Sequence, residues 1–184
     1  LKRQINPHFL FNMLNNASML LKKNPEEASQ LLFKLEDMLR YQINDSSQDR
    51  VSLSSDIHFL NDFLNLEKIR RDKFECSIAK EGFIEQVSLP PLLFIPFVEN
   101  AVKHNSDSEH GSYVHLSFKV WGNELFFECV NSNPQQSTDN RKQQVGGLGL
   151  KNITRRLELL YPDRHTLETE KNENCYKVKL HLIL

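Results

Sequence analysis

The character of this chain changes near residue 72, and that change limits what each part can fold into. Before it, apolar side chains recur every three to four residues, the helical period. After it, stretches that alternate, the strand period, are interleaved with two helical ones. Residues 1–22 read as one helix, with Leu10, Leu14, Ala17 and Leu21 on a stripe widened by Met13 and Leu20. Asn24-Pro25-Glu26-Glu27 then supplies a cap, a first-turn proline and a glutamate at the third helical position. A second helix follows to about residue 44, with Ala28, Leu31, Leu32, Leu35, Met38, Leu39 and Ile43 on one stripe. Two such helices joined by a short turn pack as a hairpin. A hairpin alone leaves apolar surface exposed, so a partner or a homodimer is implied. Residues 44–50 form a polar linker, and Ser52 or Ser54 caps a third helix to about Arg71, with Ile57, Leu60, Phe63 and Leu64 inward.

Beyond residue 72 the pattern predicts strands over 74–80, 113–120 and 124–131, the last two joined at Gly122-Asn123. A strongly apolar helix with a polar end spans 90–105. Residues 132–145 are rich in Gln, Asn and Ser and read as a mobile loop. Residues 146–149 lead into a helix with Leu150, Ile153, Leu157 and Leu160 inward. Strands over 165–171 and 175–184 close a hairpin around Asn172-Glu173-Asn174. The fold class is therefore α+β: a helical hairpin region over 1–72, then an α/β sandwich over 73–184. In the sandwich, two helices cover one face of a mixed, mostly antiparallel sheet of about five strands.

Composition narrows the function classes. A net charge of −1 gives no electrostatic attraction to nucleic acid or acidic lipid. Cys76, Cys129 and Cys175 are far apart and make no CxxC or zinc pattern, which points to free thiols in a reducing compartment. No apolar run approaches the ~20 residues of a membrane span, and there is no signal peptide. The chain begins at Leu1, without methionine, inside helix-like sequence, so the expectation is a fragment of something longer.

Four stretches carry chemistry. In Asn6-Pro7-His8-Phe9-Leu10-Phe11-Asn12, His8, Asn12 and Asn15 fall at i, i+4, i+7 on the polar face of the first helix. Pro7 fits two readings: a kink inside a longer helix, or the first residue of a helix capped by Asn6. In Phe97-Val98-Glu99-Asn100-Ala101-Val102-Lys103-His104, the side chains of Asn100, Lys103 and His104 share one face. An amide oxygen suits Mg²⁺, and lysine and histidine suit phosphates; the plainer reading is the solvated end of a buried helix. Gly146-Gly147-Leu148-Gly149-Leu150-Lys151-Asn152 opens a helix with glycines that let backbone N–H groups approach an anion. It is neither a Walker loop nor a Rossmann fingerprint. Asn131 ends a strand beside the polar loop, where a side chain can read a base edge or simply terminate the strand.

An Asn-bearing helix, a strand ending in Asn131, a loop and a Gly-rich helix start, in that order, resemble the Bergerat-type ATPases. With the His8 motif ahead of them, essentially the whole chain resembles the LytS/YehU-type sensor histidine kinases. The resemblance implies ATP and Mg²⁺ as cofactors, His8 as phosphoacceptor and Asn100 as the Mg²⁺-binding residue. Lys103 and His104 lie near the phosphates, and Asn131 stands where relatives place an adenine-binding aspartate. Gly147, Leu148, Gly149, Leu150 and Asn152 match the second glycine box. It further implies a response regulator as partner, with the LytTR type as one candidate class. It also implies a homodimer and a cytoplasmic location in a bacterial inner-membrane protein anchored through an N-terminal region outside this chain. In other histidine kinase families, Asn or Thr four residues after the histidine supports phosphatase activity, and Asn12 occupies that place.

The chain departs from the family at two places. The Asp-x-Gly-x-Gly box is replaced by Asn131-Ser132-Asn133-Pro134-Gln135, which keeps an acceptor oxygen but no charge. The acidic residue that often follows the histidine is Phe9, and Glu99 is the candidate replacement. Two rival readings follow: a docking module that binds a regulator without turnover, and an ATPase that hydrolyses ATP to drive clamp closure.

Overall fold

The computed structural model describes residues 7–44, 47–71, 73–104, 111–132 and 147–184. Helices α1 (Pro7–Lys23) and α2 (Pro25–Ile43) form the expected hairpin. Asn24 caps α2: its Oδ1 accepts from the Glu27 N–H at 3.2 Å while its Nδ2 donates to the Glu27 carboxylate at 3.2 Å. A short strand β1 (Val51–Ser52) leads into α3 (Leu53–Arg70), capped by the Ser52 hydroxyl accepting from Ser55 N–H at 3.0 Å. Then come β2 (Phe74–Gly82), a 3-10 turn, β3 (Ser88–Leu89) and α4 (Ile95–His104). After these follow β4 (Ser112–Trp121), β5 (Glu124–Ser132), α5 (Gly147–Leu160), β6 (His165–Lys171) and β7 (Cys175–Ile183).

The main sheet has five strands in the order β2-β4-β5-β7-β6. All its pairs are antiparallel except β2 with β4, which run parallel. That one parallel pair makes the sheet mixed and mostly antiparallel, as expected. The connection from β2 to β4 carries α4, and a crossover of that length returns the chain in the same direction. At the end of the pair Gly82 is required, because it has φ +86° and a Cβ there would lie 2.0 Å from the Val120 carbonyl oxygen. The two-stranded sheet of β1 and β3 has no sequence signal of its own length.

One face of the main sheet is apolar. Val114, Leu116, Phe118 and Val120 of β4, Leu125, Phe127 and Cys129 of β5, and Val178, Leu180 and Leu182 of β7 are all buried. Helix α4 lies on this face through an aromatic cluster. Phe94 meets Phe118 edge-on at 5.1 Å and Phe127 at 4.7 Å, and Phe97 meets Phe127 at 5.7 Å. Helix α5 packs beside α4 through Ile153 and Leu157. The three cysteines are free, and burial pushes the Cys129 thiol up to about 12.

Helix α4 starts at Ile95, not at residue 90. Leu92 has φ 56°, outside helical space, and its N–H is taken by the Asp56 carboxylate at 3.0 Å. Pro96 then occupies the first turn, where its missing N–H costs nothing. On α1 the buried stripe is Phe9, Met13 and Ala17, with Leu10 and Leu20 half-buried. Leu14 and Leu21, expected inside, are 42% and 52% exposed. The rotation follows from α1 packing against α3 as well as α2, with the Phe9 ring stacked on Phe63 at 5.2 Å.

Helix α3 buries three acids along with its apolar residues: Asp56, Asp62 and Glu67. Burial raises the Asp56 carboxyl to about 6, against the Tyr41 hydroxyl, the Leu92 and Leu93 amides and the Arg156 charge, which all pull it down. A folded-state pKa above the unfolded 3.8 means the native state holds the proton more tightly. Stability therefore declines as pH rises from about 4 through about 6, by at most roughly 3 kcal/mol from this group. Asp56→Asn keeps an acceptor oxygen and removes the charge. Its stability relative to the parent should climb over that window and level off above it, measured by urea unfolding between pH 4 and 7.5. A difference independent of pH would show that Asp56 does not titrate there.

Candidate functional site

Helix α4 packs on the inner face of β5 on one side and against α5 on the other. Along β5 the inward positions are Leu125, Phe127, Cys129 and Asn131, so the row of apolar side chains ends in an amide. Asn131 is 2% exposed. Its Nδ2 donates to the Ser132 carbonyl at 2.9 Å, while its Oδ1 is buried with no hydrogen-bond partner among the described residues. A buried acceptor without a donor is costly, on the order of 1–3 kcal/mol, and such a group marks a place where a ligand N–H fits.

Helix α4 presents Glu99 and Lys103 exposed and Asn100 half-buried, while Val98, Ala101 and Val102 face the core. The side chain of His104 lies outside what the structure describes. The polar end of α4 is held from behind by Arg71, which donates from Nη2 to the Val102 carbonyl at 2.9 Å. The Arg71 guanidinium also lies 3.3 Å from Glu67 and 5.4 Å from the centre of the Phe74 ring.

Gly147 and Gly149 fall inside the first turn of α5 rather than before it. The first-turn N–H groups of a helix lack intrahelical acceptors, and the positive end of the dipole lies there. Leu150 is half-buried, and Lys151 and Asn152 are exposed. The side chain of Leu148 and residues 133–146, which include most of the altered glycine box and the expected loop, lie outside the described residues.

The hairpin forms a separate layer. Backbone geometry puts His8 in the first turn of α1 with Asn12 one turn later and half-buried, and the His8 side chain lies outside what the structure describes. Asn6, and with it the choice between the two readings of Pro7, lies outside the described residues. Phe9, the neighbour of His8, is a core residue against α3. The site residues thus fall into two groups. Asn100, Lys103, Asn131, Leu150 and Asn152 sit in the α4–α5–β5 layer, and His8 and Asn12 sit on the hairpin, with α3 packed against both.

Sequence reasoning missed the polar residues that join these layers. The Tyr41 hydroxyl donates to Asp56 Oδ1 at 2.8 Å, and the same oxygen accepts from Leu92 N–H. Arg156 of α5 donates to the Leu92 carbonyl at 2.9 Å and the Pro91 carbonyl at 2.7 Å. A signal existed: Asp56 and Glu67 fall at i and i+11 with Leu60 and Phe63 between them, on the apolar stripe of α3. Among the described residues no group of three His, Cys, Asp or Glu side chains could hold a metal ion. No helix of the described residues is long and apolar enough to cross a membrane.

Comparison with known proteins gives a consistent picture. Residues 1–74 match the family model described as Histidine kinase. Over 179 residues the chain is 31% identical to sensor histidine kinase BtsS of Escherichia coli K12, covering 96% of this chain and 31% of that one. It is 27% identical over 193 residues to sensor protein LytS of Staphylococcus haemolyticus, covering 99% and 33%. The chain therefore spans about a third of the length of these relatives. The fold is shared with histidine kinase ThkA, solved in complex with the response regulator protein TrrA. There the TM-score is 0.52 at 14% identity, over 96% of this chain and 59% of that one.

Proposed function

Given that the chain belongs to the LytS-type sensor histidine kinases, we propose that it is a kinase core that phosphorylates His8 from Mg-ATP and passes the phosphoryl group to an aspartate of a response regulator. The division of labour follows the two layers: residues 1–72 as dimerisation and phosphoacceptor region, 73–184 as ATP-binding domain. The observation that carries the nucleotide half is Asn131 Oδ1, buried and without a donor among the described residues. The exocyclic amine of adenine is the donor that would complete it.

In this reading His8 offers a neutral imidazole nitrogen to the γ-phosphorus. The new N–P bond forms as the bond to the ADP oxygen breaks. Asn100 would hold Mg²⁺ together with nucleotide oxygens and water, and the ion supplies charge neutralisation on the phosphates. Lys103, His104 and the first turn of α5, with Gly147, Leu148 and Gly149, would face the phosphates, with Leu150 and Asn152 just beyond. Because Phe9 is committed to the core, Glu99 of α4, which is exposed, is our candidate to orient the imidazole when the two layers meet. Asn12, one turn from His8, is our candidate to hold the water that dephosphorylates the regulator. The ThkA complex with TrrA supports a response regulator, of the LytTR type or another, as partner. The lengths of BtsS and LytS support a kinase core carried by a longer sensor, which we read as membrane-attached with this part cytoplasmic.

The rival docking module is favoured by the loss of charge and glycine at residues 131–135, and one assay separates the readings. Incubation with γ-labelled ATP should place label on histidine in the parent and none in His8→Ala. Asn100→Ala should lose Mg-dependent nucleotide binding by about tenfold or more while its unfolding midpoint stays put. Asn12→Ala should keep autophosphorylation and slow dephosphorylation of the regulator. Free phosphate without phosphohistidine would instead favour the clamp ATPase, and neither product the docking module.

Asn131→Ala should weaken ATP and ADP by the same factor, because both carry the base. Calorimetry showing a loss for ATP alone would place this residue at the γ-phosphate.

The dimer rests on a second apolar seam. Leu14 and Leu21 of α1 and Leu32 and Ile43 of α2 are exposed on the hairpin, and we assign them to a face that a second copy would cover. Sedimentation should give a dimer that Leu32→Glu shifts to monomer; a parent that stays monomeric at high concentration would refute the seam.

A further inference from the structure

One oxygen atom, Asp56 Oδ1, receives hydrogen bonds from two parts of the molecule that the kinase reading assigns to different tasks. Tyr41 donates from α2, in the hairpin, at 2.8 Å. The Leu92 N–H donates from the segment that starts α4, at 3.0 Å. Leu92 is also fixed from the other side, since its carbonyl and that of Pro91 accept from the Arg156 guanidinium of α5. Both helices of the nucleotide layer are therefore tied to the carboxylate that holds the hairpin. Asp56 is fully buried, so water cannot replace a bond that is lost, and its second oxygen has no partner among the described residues. Leu92 has φ 56°, a backbone state that a leucine keeps only when its surroundings hold it there.

We propose that the Tyr41 hydroxyl, through Asp56 and Leu92, is a positioning contact that couples the docking of the hairpin to the geometry of the nucleotide site. With the hydroxyl in place, Asp56 accepts from both sides, and the Leu92 turn and the Arg156 clamp are held. When α2 moves away, the buried carboxylate loses one of its donors, the Leu92 turn relaxes, and α4 and α5 loosen together. Nucleotide affinity thereby reports hairpin position, and by linkage nucleotide biases the hairpin by the same factor.

The inference rests on the kinase reading for its consequence, while its physical core is testable without it. Tyr41→Phe removes only the hydroxyl and leaves the ring stacked on Phe59 at 4.9 Å. In this variant amide hydrogen exchange over residues 92–95 should quicken by about fivefold or more. The dissociation constant for Mg-ATP should change by about fivefold, although Tyr41 lies outside the nucleotide layer. Met38→Ala, which removes buried hairpin packing without touching this chain of bonds, is the control for lost stability alone. It should move both readouts less than Tyr41→Phe does for the same loss of stability. Unchanged exchange at 92–95 in Tyr41→Phe, or an equal change in Met38→Ala, overturns the coupling. Absence of Mg-ATP binding in the parent overturns the kinase reading instead, and the exchange experiment still decides the coupling.

Discussion

The structure depends on α3 packing against both the hairpin and the sandwich while burying three carboxylates. A buried carboxylate without partners costs several kcal/mol, so each is paired, either across to a neighbouring element or along α3 itself. Asp56 takes Tyr41 of α2 and the Leu92 amide before α4. Asp62 lies 3.6 Å from Lys34 of α2 and 3.2 Å from His58. Glu67 lies 2.6 Å from Arg70 and 3.3 Å from Arg71, and Arg71 reaches on to the end of α4. Asp56 alone draws donors from both sides of α3. That carboxylate is therefore satisfied only when the hairpin and the sandwich are both in place, which ties the two together.

The second constraint is the one-sided sheet. Because β4, β5 and β7 alternate strictly, the aromatic cluster of Phe94, Phe97, Phe118 and Phe127 fixes where α4 can lie. The polar end of α4, with Asn100 and Lys103, follows from that anchoring, as does the exposure of Glu99. Arg71 then holds the last turn at the Val102 carbonyl. The side chains named for phosphate and metal thus owe their position to apolar contacts several residues earlier in the helix.

The parts legible in the sequence are those fixed by local period and local chemistry. The cap at Asn24, the turn at Gly122 and the alternation of β4, β5 and β7 depend on near neighbours. The parts that were not legible depend on a third body. The stripe of α1 is set by Phe63 of α3 as well as by α2, which turns Leu14 outward and Phe9 inward. The start of α4 is set by Asp56, thirty-six positions from Leu92, which removes an N–H that helix periodicity would assign to the helix. The parallel pairing of β2 with β4 is a property of the crossover, and the strand pattern of β2 alone is the same for either direction. Asn131 was legible as a strand end; that its Oδ1 is buried without a donor was not.

That oxygen, without a donor among the described residues, also gives a physical meaning to the change of charge from the family's aspartate. An aspartate at 131, in the same buried place, would leave a full negative charge without a donor whenever the site is empty, at a cost of several kcal/mol or a raised pKa. An asparagine leaves a neutral acceptor orphaned, which costs on the order of 1–3 kcal/mol. The neutral form therefore strains the empty protein less, and the return when a donor arrives is smaller by the same logic, since bonds to charged acceptors are roughly twice as strong. Its retained Nδ2, bonded to the Ser132 carbonyl, adds what a carboxylate could not. It pins the amide so that Oδ1 faces inward, and a fixed neutral acceptor can select an N–H donor by geometry where charge is lacking.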